Sequence, residues 1–203
     1  MMAFETWLGF LAASAVMLVI PGPTIFLVMQ RALAGGRRAA VPLALGVAAG
    51  DLTAISLSMA GLGALLSASA WLFTLLRYAG AAYLIWLGIS MWRTLLVRGA
   101  LPATNGMKAM GDAYVVTALN PKAIVFFVAF VPLFIDPSLP FLPQAIALIG
   151  SFVILAAANA LLYAMLSVRV GRVVRRPQAL FALNRLGGSV LIGAGVATAV
   201  MRR

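Results

Sequence analysis

Apolar residues run almost unbroken over long stretches of this chain, and the polar ones gather in short breaks between them. About 20 apolar residues in helical form cross the hydrocarbon core of a bilayer, which is about 30 Å thick. Six stretches approach or exceed that length and predict an all-α membrane protein: Phe4–Met29, Ala40–Leu66, Ala70–Trp92, Gly111–Ile135, Phe141–Val168 and Leu186–Met201. The last is short unless Ala179–Asn184 extends it, which leaves five spans as the alternative. The chain reads as one transmembrane domain, 1–203, with a first half 1–93, a cytoplasmic connection 94–110 and a second half 111–203. Gly99, Pro102 and the Asn105-Gly106 pair give that connection the character of a flexible loop.

Charge orients the spans. The first, third and fifth breaks carry Arg31, Arg37 and Arg38; Arg93, Arg98 and Lys108; and Arg169, Arg172, Arg175, Arg176 and Arg185. The second and fourth carry no basic residue. Positive loops stay on the cytoplasmic side, so the amino terminus is predicted outside. With six spans the carboxyl terminus is outside too, which sets Arg202 and Arg203 against the rule. Two halves of three spans each then have opposite orientation, the arrangement of inverted-repeat transporters. The fifth break interleaves apolar and basic residues and suits the membrane surface.

Composition agrees with lipid as the solvent. Hydrophobic residues make up 64% and charged ones 9%, against about 45–50% and about 25% in soluble domains; the mean hydropathy is +1.09. Cysteine and histidine are absent, which excludes disulfides, thiolate chemistry, imidazole metal sites and Ser–His triads. No nucleophile stands beside a plausible base, so neither an enzyme nor a cofactor is expected. The net charge of +11 sits between hydrophobic segments, a placement that fits anionic lipid and not nucleic acid. "MMAFETW" lacks the positive start of a secretory signal, so the first apolar run is expected to stay as a helix.

Two interruptions carry the candidate chemistry. In the first span "VIPGPTIF" places Pro21, Gly22, Pro23 and Thr24 inside an apolar run, and in the fourth "TALNPKAIVFF" places Asn120, Pro121 and Lys122. Proline removes a helix hydrogen bond and clashes with the carbonyl one turn back, and in lipid the freed groups need protein or water partners. At 1.5 Å per residue, Pro21–Pro23 lie roughly 12–15 Å from Arg31, Asn120 and Lys122 roughly 18–21 Å from Lys108, and Asp51 roughly 20 Å from Arg38. All three features therefore fall toward the middle of the bilayer. Half-helix ends there bind anions through amides and cations through carbonyls, so the paired breaks suit a small zwitterionic substrate. A packing kink is the plainer alternative for either break alone.

An ionised Asp51 at that depth costs about 2.5–3.5 kcal/mol, which makes reversible protonation feasible and Asp51 the candidate for proton coupling. A structural hydrogen bond to a neighbouring helix is its alternative. Lys122 suits a substrate carboxylate or an ion pair with Asp51. Asn159 and Tyr163, four apart, share a helix face, as do Tyr83 and Trp86; of these only Asn159 makes a polar demand that points to a cavity. Arg77 reads as a snorkelling side chain. Gly46 and Gly50 form a GxxxG pattern that permits close helix contact.

"IPGPTIFLVMQRALAGGRRAAVPLALGVAAGDL", "GAAYLIWLGISMWR" and "ALNPKAIVFFVAFVPLF" resemble the LysE/RhtB family of bacterial amino-acid exporters over nearly the whole chain. The resemblance implies six spans in the inner membrane, a homodimer (for which GxxxG is a second hint), and export of amino acids or related metabolites on the proton gradient. The family's motif positions fall on Pro21, Gly22, Pro23, Gly50, Asp51, Asn120, Pro121 and Lys122. Thr24 stands where the family often has Asn. Export of a divalent metal is the rival reading, disfavoured because such sites want several carboxylates and only Asp51 lies deep.

Overall fold

A computed structural model describes residues 2–68 and 105–169, together with single positions at 78, 81, 82, 85, 86, 89, 92, 185, 186, 189, 192, 193, 196 and 200. Apart from such single positions, the predicted third and sixth spans, Arg77, Tyr83 and the interleaved fifth break lie outside the described residues. Among the described residues every regular element is helical. Helix α1 spans Phe4–Val19, α2 Pro23–Gly35, α3 Ala40–Ala68, α4 Gly106–Ala118, α5 Pro121–Ala129 and α6 Phe141–Arg169. Short 3₁₀ turns cover Gly36–Ala39 and Val131–Phe134.

Two helical stretches, Pro23–Gly61 and Phe141–Arg169, are long and apolar enough to cross a membrane. A third candidate is a bent pair, Gly106–Ala118 with Lys122–Phe134, at 47° to each other. Helix α4 starts ahead of the predicted Gly111, inside the stretch read as a flexible connection. The Asn105 side chain accepts from the amide of Lys108 at 2.8 Å and caps it, so an Asn-Gly pair taken as a turn is a helix start.

Helix α3 is the scaffold. Its buried stripe, Leu43, Val47, Asp51, Ile55 and Met59, repeats every four residues, while Val41, Leu45, Leu52 and Leu57 remain exposed on the side suited to lipid. Against α4 it packs through Gly46 and Gly50. A Cβ on Gly46 would stand 2.2 Å from the Met110 carbonyl oxygen, and one on Gly50 2.7 Å from Thr117 Cβ. The GxxxG pattern is therefore spent inside the chain, and its hint of a dimer face is withdrawn. On α6 the buried stripe runs through Leu148, Phe152, Ala156, Ala160 and Ala164, whose small members bring the backbone close to its neighbours. Above them Phe127 meets Phe152 edge-on, with ring centroids 4.8 Å apart. Near the far end of α2, Arg31 pairs with Asp112 of α4, and Lys108 stands 3.7 Å from the same carboxylate.

Candidate functional site

The first break follows from two missing amides. In a continuous helix residues 21–24 would donate to the carbonyls of Met17, Leu18, Val19 and Ile20. Pro21 and Pro23 have no N–H to give and crowd those carbonyls, so the backbone turns extended at Ile20 (φ −75°, ψ 113°) and Gly22 (φ −106°, ψ −168°). The last carbonyls of α1 are thus left without helical partners among apolar surroundings.

Side chains from the second half of the sequence satisfy all of them. Lys122 Nζ donates to Met17 O at 2.8 Å and to Ile20 O at 2.7 Å. Asn159 Nδ2 donates to Leu18 O at 3.0 Å, and Tyr163 Oη to Val19 O at 2.6 Å. Four carbonyls that would otherwise cost several kcal/mol each in hydrocarbon are held by three side chains of α5 and α6.

The second break is shorter, and its first severed carbonyl finds a partner within the break. Pro121 opens α5, and the Thr117 carbonyl that it cannot reach accepts from the amide of Asn120 at 3.0 Å. Asn120 then caps α5, its side-chain oxygen accepting from the Lys122 amide at 3.1 Å. The same side chain donates through Nδ2 to Thr24 Oγ1 at 3.0 Å, and Thr117 Oγ1 donates to Thr24 Oγ1 at 3.3 Å. The two breaks are joined through Thr24.

Between them lies a cavity of about 30 Å³ lined by Gly22, Thr24, Asp51, Asn120, Lys122 and Asn159 on its polar sides. Ile25, Val47, Phe152 and Ala156 are among the residues that close it with apolar surface. At about 10–15 Å³ per water, it has room for about two. Asp51 is 4% exposed and has neither hydrogen bond nor ion pair among the described residues. The same cavity is bordered by the start of α2, whose cap residue Gly22 has no side chain to offer its first amides. A carboxylate with no hydrogen bond among the described residues thus shares one cavity with a helix start that no side chain caps, and the positive end of that helix suits an anion.

Of the predicted site residues, Gly22, Thr24, Asp51, Asn120, Lys122 and Asn159 come together at this cavity. Pro21 and Pro23 do not line it; they act through the backbone, as Pro121 does from the first turn of α5. Lys122 is occupied by the α1 carbonyls, and no ion pair joins it to Asp51 among the described residues. Sequence reasoning missed the Tyr163 hydroxyl and Thr117. The four-residue spacing of Tyr163 from Asn159 was the available signal, since it sets both on the face turned to α1. Trp86 is 59% exposed and is not part of the cavity lining. Among the described residues no three Asp or Glu side chains gather as a metal site would require.

Apolar helices with an interrupted backbone, the four severed carbonyls of α1 each held by a polar side chain, define a membrane protein with an internal polar site. The chain belongs to the LysE type translocators, whose family model matches residues 15–202. It is 36% identical over 204 residues to a homoserine/homoserine lactone efflux protein of Salmonella typhimurium, covering 98% of each chain. An uncharacterized membrane protein of Vibrio cholerae is 34% identical over 207 residues, 99% of this chain and all of that one, 100%. A leucine efflux protein of Klebsiella pneumoniae is 34% identical over 137 residues, 64% of this chain and 63% of its own. No solved structure matches.

Proposed function

We propose that this chain is a secondary active exporter of a small amino acid or a closely related metabolite, driven by proton antiport across the bacterial inner membrane. The observation that carries the reading is that Asp51 and the start of α2, which no side chain caps, line one cavity. The carboxylate suits a substrate ammonium or a proton, and the α2 amides suit a substrate carboxylate. Relatives named for homoserine and leucine efflux agree with a solute of that size and charge.

The accompanying topology is six spans in two inverted three-helix halves, amino terminus outside, assembled as a homodimer. Its support is the meeting of one break from each half at one site, which is how inverted repeats build a midplane site. A space of about 30 Å³ is too small for any amino acid, so substrate enters when the halves part. Asp51 then takes up a proton on the outer face and releases it on the inner one, in exchange for substrate.

Proteoliposomes loaded with a panel of labelled amino acids, with an imposed pH gradient, test this. Wild type shows gradient-driven flux of at least one panel member. Asp51→Asn keeps substrate exchange without a gradient and loses the acceleration that the gradient gives. Acceleration retained in the variant removes Asp51 from coupling, and no flux of any panel member removes the substrate class.

A further inference from the structure

The carbonyl end of α1 is filled by an amine that belongs to the protein itself. Lys122 is only 4% exposed, and its contacts of 2.8 and 2.7 Å to Met17 O and Ile20 O fall in the range of charge-assisted bonds, about 2.7–2.9 Å. The two carbonyls between them are served by neutral donors, Asn159 and Tyr163. A helix C-terminus carries roughly half a negative charge, and unwound carbonyls of broken membrane helices hold monovalent cations in other transporter architectures. The lysine stem reaches this end across Gly22, where an added Cβ would stand 3.3 Å from Lys122 Cδ and 3.7 Å from Nζ. A side chain at residue 22 would press on that stem.

We propose that Met17 O and Ile20 O form a binding site for a monovalent primary ammonium, and that Lys122 is its tethered occupant. Two observations separate this from ordinary capping. One lysine amine serves two carbonyls at once, where each of their immediate neighbours has an amide or hydroxyl donor of its own. The ammonium also borders the cavity that Asp51 lines, so a free cation has a path to the carbonyls once the stem is removed. Lys122 is in this sense a positioning residue. It fixes the end of α1 and keeps a positive charge at the site without recruiting an ion from solution.

The test uses purified full-length protein in detergent and in proteoliposomes, with methylammonium, the Cε–Nζ fragment of lysine, as the probe. In Lys122→Ala, methylammonium chloride raises Tm saturably, by about 2–4 °C at several times its Kd. Tetramethylammonium, which has no N–H, does not, and wild type, already filled, responds to neither. If Lys122→Ala does not fold, Lys122→Met retains the bulk of the stem and leaves only the ammonium position open, and NH4⁺ replaces methylammonium as the probe. A Tm indifferent to the primary ammonium in the folded variant, or a response equal to that of wild type, overturns the site. Flux is read in parallel. Absence of flux in wild type counts against the transport reading while the Tm response of the variant still upholds the cation site, so the two fail separately.

Discussion

Asn120 Nδ2 donates to Thr24 Oγ1 at 3.0 Å across 96 positions of sequence, and through that bond the two helix breaks fix each other. Thr24 sits in the first turn of α2 and Asn120 caps α5, so a shift of either half-helix strains the other. Thr24→Val keeps the shape and removes the hydroxyl. Asn120→Ala removes both the shared bond and the cap, whose loss alone costs about 0.5–2 kcal/mol. In a double-mutant cycle on stability, the pair is expected to couple by about 0.5–1.5 kcal/mol. Additive losses would show that the contact carries no energy and that the breaks are held independently.

Gly46 and Gly50 give a second expectation, because the atoms opposite them are mostly backbone. A Cβ at Gly46 meets Met110 O at 2.2 Å, and one at Gly50 meets Tyr114 O at 2.8 Å; main chain cannot rotate away as a side chain does. Gly46→Ala and Gly50→Ala force α3 and α4 apart, with a loss of about 1–3 kcal/mol each. Gly150→Ala is the control: nothing among the described residues lies within 4 Å of its Cβ, and replacing a mid-helix glycine there gains about 0.5–1 kcal/mol. Thermal unfolding of the three variants checks the order. A change of oligomer size in Gly46→Ala with unchanged unfolding would return the pattern to a subunit interface.

What was legible in the sequence is what is local. Pro21, Pro23 and Pro121 stand deep inside long apolar runs, where a proline interrupts a helix, so the positions of the breaks follow from the residues alone. Asp51 and Lys122 could be placed at one depth by counting rises, since helix geometry is regular. Their partners could not. Whether Lys122 meets Asp51, a substrate or the carbonyls of Met17 and Ile20 depends on how α5 is rotated against α1, and more than 100 positions separate those contacts in sequence. The hydroxyl of Tyr163 was hidden for the same reason: an aromatic ring at helix spacing packs equally well with its oxygen bonded or idle. GxxxG states that two backbones approach and is silent on whether they belong to one chain. Asn105-Gly106 serves a turn or a helix start equally, and the capped amide of Lys108 decides it.

Tyr163 offers the sharpest measure of how much the severed end of α1 needs its donors. Its hydroxyl reaches Val19 O at 2.6 Å from a helix otherwise turned to α1 through Asn159. Val19 O lost its helical partner to Pro23, so no backbone amide is waiting to replace the tyrosine. Tyr163→Phe deletes one oxygen and leaves the ring packing intact. Interhelical hydrogen bonds in membranes average about 0.6 kcal/mol and reach about 1.7; an acceptor with no alternative places this one in the upper part of that range. Asn159→Leu, which strips Leu18 O in the same way, is expected to cost a similar amount. The double variant is expected to lose more than the sum, because the free end of α1 then frays away from α6. Unfolding of the purified protein in mixed micelles reads all three. A loss near zero in Tyr163→Phe would mean that water from the cavity reaches Val19 O, and that the break is wetter than its apolar lining implies.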